Sequence, residues 1–150
     1  MPVPSPQASY KHKLQCFLEA TGDSGWLQER LKEQQFAEQL ALVWGCSEYV
    51  ADQALSNPEE FKQLVQSGDL QRTYTDSDYL QALQSQVATL AADDEEDLAR
   101  ILRGFRQREM VRIIWRDFLR LTPLLQTTRE LTLLAEACIN VALDFLHHKL

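Results

Sequence analysis

Glycine and proline are scarce in this chain. Five of each occur in 150 residues, and three of the prolines fall within the first six positions. So few breakers, set among many Leu, Gln, Glu, Ala and Arg residues, favour helices. No stretch alternates polar and apolar residues convincingly, and no period repeats, which argues against a sheet protein or a solenoid. Cysteine is also sparse. Cys16, Cys46 and Cys138 are odd in number and far apart, with no C-x-x-C, so neither a disulfide framework nor a zinc site is expected. No apolar run approaches the roughly eighteen residues of a membrane span. The opening "MPVPSPQASYKHKL" carries no apolar core of signal-peptide length. A soluble cytoplasmic protein with free thiols and no membrane contact is the expectation. Positive charge is short as well: the net charge of -7 argues against a nucleic-acid binder. G-x-G-x-x-G, P-loop, G-x-S-x-G and H-E-x-x-H motifs are all missing, so no catalytic, cofactor-binding or metal-binding residue is assigned.

What remains reads as one all-α domain. A chain of this length can bury about 70% of its unfolded surface, enough for a core without staples. About six helices are expected. "MPVPSPQAS" reads as a frayed start and "YKHKLQCFLEA" as a short first helix. Residues 1–22 thus form an N-terminal segment, partly disordered, and 23–150 the helical domain. Asp23 or Ser24 can cap a second helix, whose later turns place Phe36, Leu40, Val43 and Trp44 on one face before Gly45 ends it. Ser47 can cap "EYVADQALS", with Tyr49, Val50 and Ala54 inward. "SNPEEFKQLVQSGDL" has Asn57 or Ser56 as cap, Pro58 at the first helical position, Glu59 and Glu60 in the first turn and Gly68 past the end. Thr75 or Asp76 can cap a helix that buries Tyr79, Leu80, Leu83, Val87 and Leu90. Asp93 and Glu96 are spaced as a capping box for the next helix, which Pro123 ends. Thr127 and Glu130 repeat that spacing before a last helix with Leu131, Leu134, Ala135, Cys138, Val141, Ala142, Phe145 and Leu146 inward. His147, His148 and Lys149 suit its negative end. Adjacent histidines point to different sides of a helix, so they are read as solvated. Asp76 and Asp78 are read as caps, and the acidic run Asp93–Asp97 as a helix start.

The helix before Pro123 is unusual. "LRGFRQREMVRIIWRDFLRL" holds six arginines in twenty residues, and the span 100–120 carries +5 while the remainder carries -12. At 100° per residue, Ile101, Leu102 and Phe105 fall within about 60° of Leu98. Further along, Ile114 and Phe118 lie opposite that stripe, flanked by Val111 and Trp115, while Arg112, Arg116 and Arg120 lie on it. The faces thus exchange near Gly104. A phosphate-binding helix would keep its arginines on one face. A helix crossing between two packing partners would exchange them. Glu109 to Arg112 and Asp117 to Arg120 supply internal ion pairs at i,i+3. Arg108, Arg112, Arg116 and Arg120 are therefore read as structural or interdomain contacts, Arg112, Arg116 and Arg120 packing and ion pairing within this bundle or against a further core, with anion contact as the competing role. If their pairs are exposed, each is worth only up to about 1 kcal/mol, so single Arg→Gln changes would alter stability little.

The arginine run, followed by "LTLLAEACINVALDFL", resembles the N-terminal helical region of the glutamate–ammonia-ligase adenylyltransferases. These are bifunctional enzymes that adenylylate and deadenylylate glutamine synthetase. "CSEYVADQALSNPEEFKQLVQSGDL" resembles the family's pattern upstream, and the likeness covers roughly Leu42 to the end. The resemblance implies the leading helical portion of the deadenylylating half, cut before a nucleotidyltransferase core with a glycine-rich turn and a strand-borne D-x-D. No catalytic residue of the family has a matching position here. ATP and Mg²⁺ would belong to the parent enzyme, and its partners would be glutamine synthetase and the PII signal protein. The missing core would leave part of the apolar surface uncovered. A free-standing helical interaction module without chemistry is the other class.

Overall fold

The computed structural model describes residues 5–22, 24–91 and 94–147. These form eight helices and, among the described residues, no strand: α1 Pro6–Ala20, α2 Gly25–Arg30, α3 Gln34–Cys46, α4 Glu48–Ser56, α5 Pro58–Ser67, α6 Asp78–Val87, α7 Glu95–Phe118 and α8 Leu124–His147. The all-α expectation holds, with eight helices in place of about six. One extra helix arises because the chain turns at residues 31–33, where Lys32 and Glu33 donate backbone N–H groups to the carbonyls of Glu29 and Arg30. Neither Gly nor Pro marks that turn. The N-terminus adds length to the expected first helix and no further helix. Pro6–Ser9, expected to fray, form the first turn of α1 with Ser5 as cap and Pro6 at the first helical position.

Several local signals act as read. Ser47 caps α4 by accepting from the Val50 N–H, and α5 begins at Pro58 and ends on Gly68 at φ +81°. Phe36, Leu40, Val43 and Trp44 are all buried on α3. Others differ. Tyr49 is exposed, and Ala51 takes the inward place on α4. Neither Thr75 nor Asp76 caps α6, whose N-cap is Ser77: the Asp78 carboxylate accepts from the Thr75 N–H at 2.6 Å, and Asp76 pairs with Arg129. Asp94 caps α7 by accepting from the Asp97 N–H; the expected partner Asp93 lies outside the described residues, as do Asp23, His148 and Lys149. Gly45 does not end α3, which runs to Cys46. Its role is steric: a Cβ there would stand 2.6 Å from the Pro6 carbonyl oxygen, so the glycine lets α1 lie against α3.

Two apolar clusters meet at α7. The first joins α1 to α5 and takes Val111 and Trp115 from α7; Trp115 is fully buried and stacks on Phe36 with ring centroids 6.1 Å apart. The second joins Tyr74, α6 and α8 to Leu98, Phe105 and Ile113. So α7 does cross between two packing partners, and both belong to this chain. The exchange of faces takes another form than expected. The stripe of Leu98 and Phe105 never turns to solvent. Arg112 and Arg116 continue it while buried, at 0% and 4% exposure, and Phe118 on the supposed new face is 40% exposed.

On α8 the buried line is Thr127, Glu130, Leu134, Ala137, Val141 and Phe145. Leu131, Ala135 and Leu146, expected inward, are exposed. At 100° per residue they share a second apolar face with Leu124, Ile139 and Leu143, all exposed too. A helix apolar on two sides does not disclose from its own periodicity which side is packed.

Candidate functional site

The arginines of α7 converge on the connection between α5 and α6. Arg112 is completely buried, and its guanidinium lies 3.3 Å from the centre of the Tyr74 ring. Its Nε donates to the Asp69 carbonyl at 2.9 Å, and Nη1 donates to Tyr79 Oη and to Glu130 Oε1, each at 3.1 Å. Nη2 donates to the Arg72 carbonyl. Tyr79 Oη in turn donates to Glu130 Oε1 at 3.0 Å. One turn on, Arg116 donates from Nε to Thr122 Oγ1 at 3.1 Å and from Nη1 to the Leu70 carbonyl at 2.9 Å. Arg108, one turn before, pairs with Asp69 and with Glu109 at 2.7 Å each and reaches Gln63 Oε1 at 2.9 Å. Arg112 and Arg116 hold the carbonyls of Asp69, Leu70 and Arg72, and Arg108 holds the Asp69 side chain, all in a connection with no ladder of its own.

Of the four predicted arginines, Arg108, Arg112 and Arg116 come together. Arg120 does not. It is exposed beyond the end of α7 at φ +56°, and its side chain has no hydrogen-bond or ion-pair partner among the described residues. The expected i,i+3 pairs are replaced. Glu109 pairs with Arg108, while the partner of Arg112 is Glu130 on α8. Asp117 accepts from Thr127 Oγ1 at 3.0 Å. Thr127 and Glu130 therefore do not make a capping box: α8 has already begun at Leu124, and both side chains face α7. Sequence reasoning missed Asp69, Tyr74, Tyr79 and Glu130. A signal existed. Glu130 stands on the apolar line of α8 as Arg112 stands on that of α7, and a polar residue on a buried stripe asks for a partner of opposite charge.

Burial pushes the Tyr79 hydroxyl far up, so it stays protonated and donates. Glu109 is also raised by burial, against the pull of Arg108 and Arg112, and its Oε2 is buried without a partner. Arginine does not give up its proton near neutrality, so these side chains offer no general acid or base. The donors of Arg112 and Arg116 are spent on internal acceptors, and an anion would have to displace Glu130 or a carbonyl to reach them. Among the described residues, no group of three or more His, Cys, Asp or Glu side chains could hold a metal ion. None of the described helices is long and apolar enough to cross a membrane.

Known proteins place the chain further. The family model described as Glutamate-ammonia ligase adenylyltransferase matches residues 37–150. A bifunctional glutamine synthetase adenylyltransferase/adenylyl-removing enzyme of Nitrosococcus oceani is 39% identical over 91% of this chain and 15% of its own length. Those of Pseudomonas aeruginosa and Thioalkalivibrio sulfidiphilus are 36% and 39% identical, over 83% and 75% of this chain. The likeness thus reaches well upstream of Leu42. The chain spans 12% and 11% of those two relatives. No solved structure matches. On the match of the family model and of these relatives, the chain belongs to the glutamate-ammonia ligase adenylyltransferase family.

Proposed function

We propose that this chain serves as the leading helical scaffold of an enzyme that moves AMP to and from glutamine synthetase, and that it carries no active site of its own. The names of the relatives support the reaction. The role of scaffold rests on one observation, the uncovered apolar face of α8. Leu124, Ile139 and Leu143 are 75%, 58% and 59% exposed. An apolar face of that length on a charged helical protein fits burial against further protein. The occupant that suits it is the remainder of the long polypeptide seen in the relatives, of which this chain spans 15% or less. ATP and Mg²⁺ are assigned to that remainder as part of the same proposal. Contacts with glutamine synthetase and the PII signal protein, and a cytoplasmic setting, belong to the same proposal.

Two assays test it. The purified chain, given adenylylated glutamine synthetase, phosphate and Mg²⁺, should form no ADP and leave the adenylyl groups in place. A Pseudomonas aeruginosa enzyme whose matching segment is replaced by this chain should keep its activity. Substituting Asp for both Ile139 and Leu143 in that chimera should abolish assembly or activity without unfolding the isolated chain. Turnover by the chain alone, or a chimera indifferent to the two aspartates, would overturn the proposal and favour a free-standing module.

A further inference from the structure

Gly104 sits in the interior of α7, with nothing within 4 Å of the place a Cβ would occupy. That sets it apart from Gly45, whose neighbour requires a glycine. Glycine is the weakest helix former after proline, so inside this helix it costs stability and no packed atom explains it. The open space belongs to a cleft of about 410 Å³ between α7 and the α4–α5 corner. Such a volume is within the range of small-molecule sites. On α7 the residues Arg100, Gly104, Gln107 and Val111 line it at i, i+4, i+7 and i+11, one face of the helix. Across from them stand Asn57, Phe61 and Leu64 of the α5 segment.

The chemistry of the walls is uneven. Phe61, Leu64 and Val111 are buried and make an apolar floor. The rim carries amides, Asn57 and Gln107, and two exposed arginines. Arg100 is paired with Asp97. The Arg103 side chain has no hydrogen-bond or ion-pair partner among the described residues. Glu60 is the one carboxylate in the lining, and it too is exposed.

We infer that this cleft is a binding site for a small amphiphilic anion, a carboxylate or phosphate carried on a flat or apolar body. The body lies over the bare backbone at Gly104 against Phe61, and the anionic group meets Arg103 and the amides of the rim. A ring can approach the helix closely only because residue 104 lacks a side chain. Arg108 of the arginine cluster is also among the lining residues, so the cleft adjoins that cluster, but it does not depend on the family's reaction.

The test is a titration of the full chain followed through its backbone amide resonances, with phenyl phosphate and benzoate as probes. Benzyl alcohol supplies the ring without charge, and inorganic phosphate supplies charge without the ring. Saturable shifts centred on Gly104 are expected for both aromatic anions, with dissociation constants on the order of 1 mM or below. Benzyl alcohol should bind about tenfold more weakly, a difference set by one charge contact. Arg103→Gln should remove that tenfold preference and leave the melting temperature unchanged. Gly104→Leu should abolish binding of every probe and raise the melting temperature, because leucine is the better helix former. Gly104→Ala serves if the leucine variant fails to fold, and it should weaken binding while also raising the melting temperature. No saturable shift at Gly104, shifts equal to those from inorganic phosphate alone, or binding unaffected by both Gly104 variants would each overturn the inference.

Discussion

A guanidinium withdrawn from water costs several kcal/mol unless its donors find acceptors. Arg112 meets that condition through Glu130, Tyr79 and two carbonyls. Glu109 does not, because one of its oxygens is left without a partner. Its carboxyl is therefore raised by burial despite the neighbouring arginines. An acid that holds its proton more tightly when folded contributes most below its unfolded pKa, and that contribution is lost as pH rises through the folded value. Asp69 runs the other way. Burial pushes it up, but the hydrogen bond and charge of Arg108 outweigh that and hold it low, so its contribution is lost only as pH falls. Between about pH 4 and about pH 7, the stability of the wild type relative to Glu109→Gln should therefore decline. Urea unfolding of both proteins across that range checks this. A difference that moves in favour of the wild type as pH rises would mean that Arg108 keeps Glu109 ionised.

Elements end and meet through single positions. At the end of α7, Arg120 donates its backbone N–H to the Asp117 carbonyl at 3.0 Å and Leu121 donates to the Arg116 carbonyl at 2.9 Å. This is a Schellman motif with an arginine at the left-handed position usually held by glycine. The side chain meets a steric cost there that glycine avoids, and glycine's extra freedom when unfolded offsets part of the gain. Arg120→Gly should raise stability by up to about 1 kcal/mol, read from the unfolding midpoint. A clear loss would show that the Arg120 side chain stabilises the corner. At Gly45 the opposite is expected. An added methyl meets backbone, which no rotamer change relieves, so Gly45→Ala should cost about 1–3 kcal/mol and loosen α1 first. Amide exchange that leaves α1 as protected as before would contradict this. Pro58, Gly68 and Ser47 were legible because each meets a local need of the backbone. The turn at residues 31–33 was not, since tertiary packing makes it and no residue there requires it.

The whole molecule is organised around α7, which lies between two apolar clusters and pins the α5–α6 connection with its arginines. The sequence disclosed the helix, its mixed faces and the anchoring Trp115, because those follow from periodicity. It did not disclose that Arg112 and Arg116 point inward. Their acceptors are on the α5–α6 connection, on α6, at the α7–α8 corner and on α8, between 5 and 46 residues away along the chain, so the helix's own periodicity could not name them. That difference changes the forecast for their loss. An exposed pair would be nearly neutral to remove, whereas a buried one leaves the Glu130 carboxylate buried without its cation and the Asp69 and Arg72 carbonyls without their donor. Denaturant unfolding of Arg112→Gln tests the account most directly. A buried internal brace predicts a loss of about 3–5 kcal/mol relative to the wild type. A loss below about 1 kcal/mol, the value of an exposed ion pair, would contradict it and return the arginines to the surface.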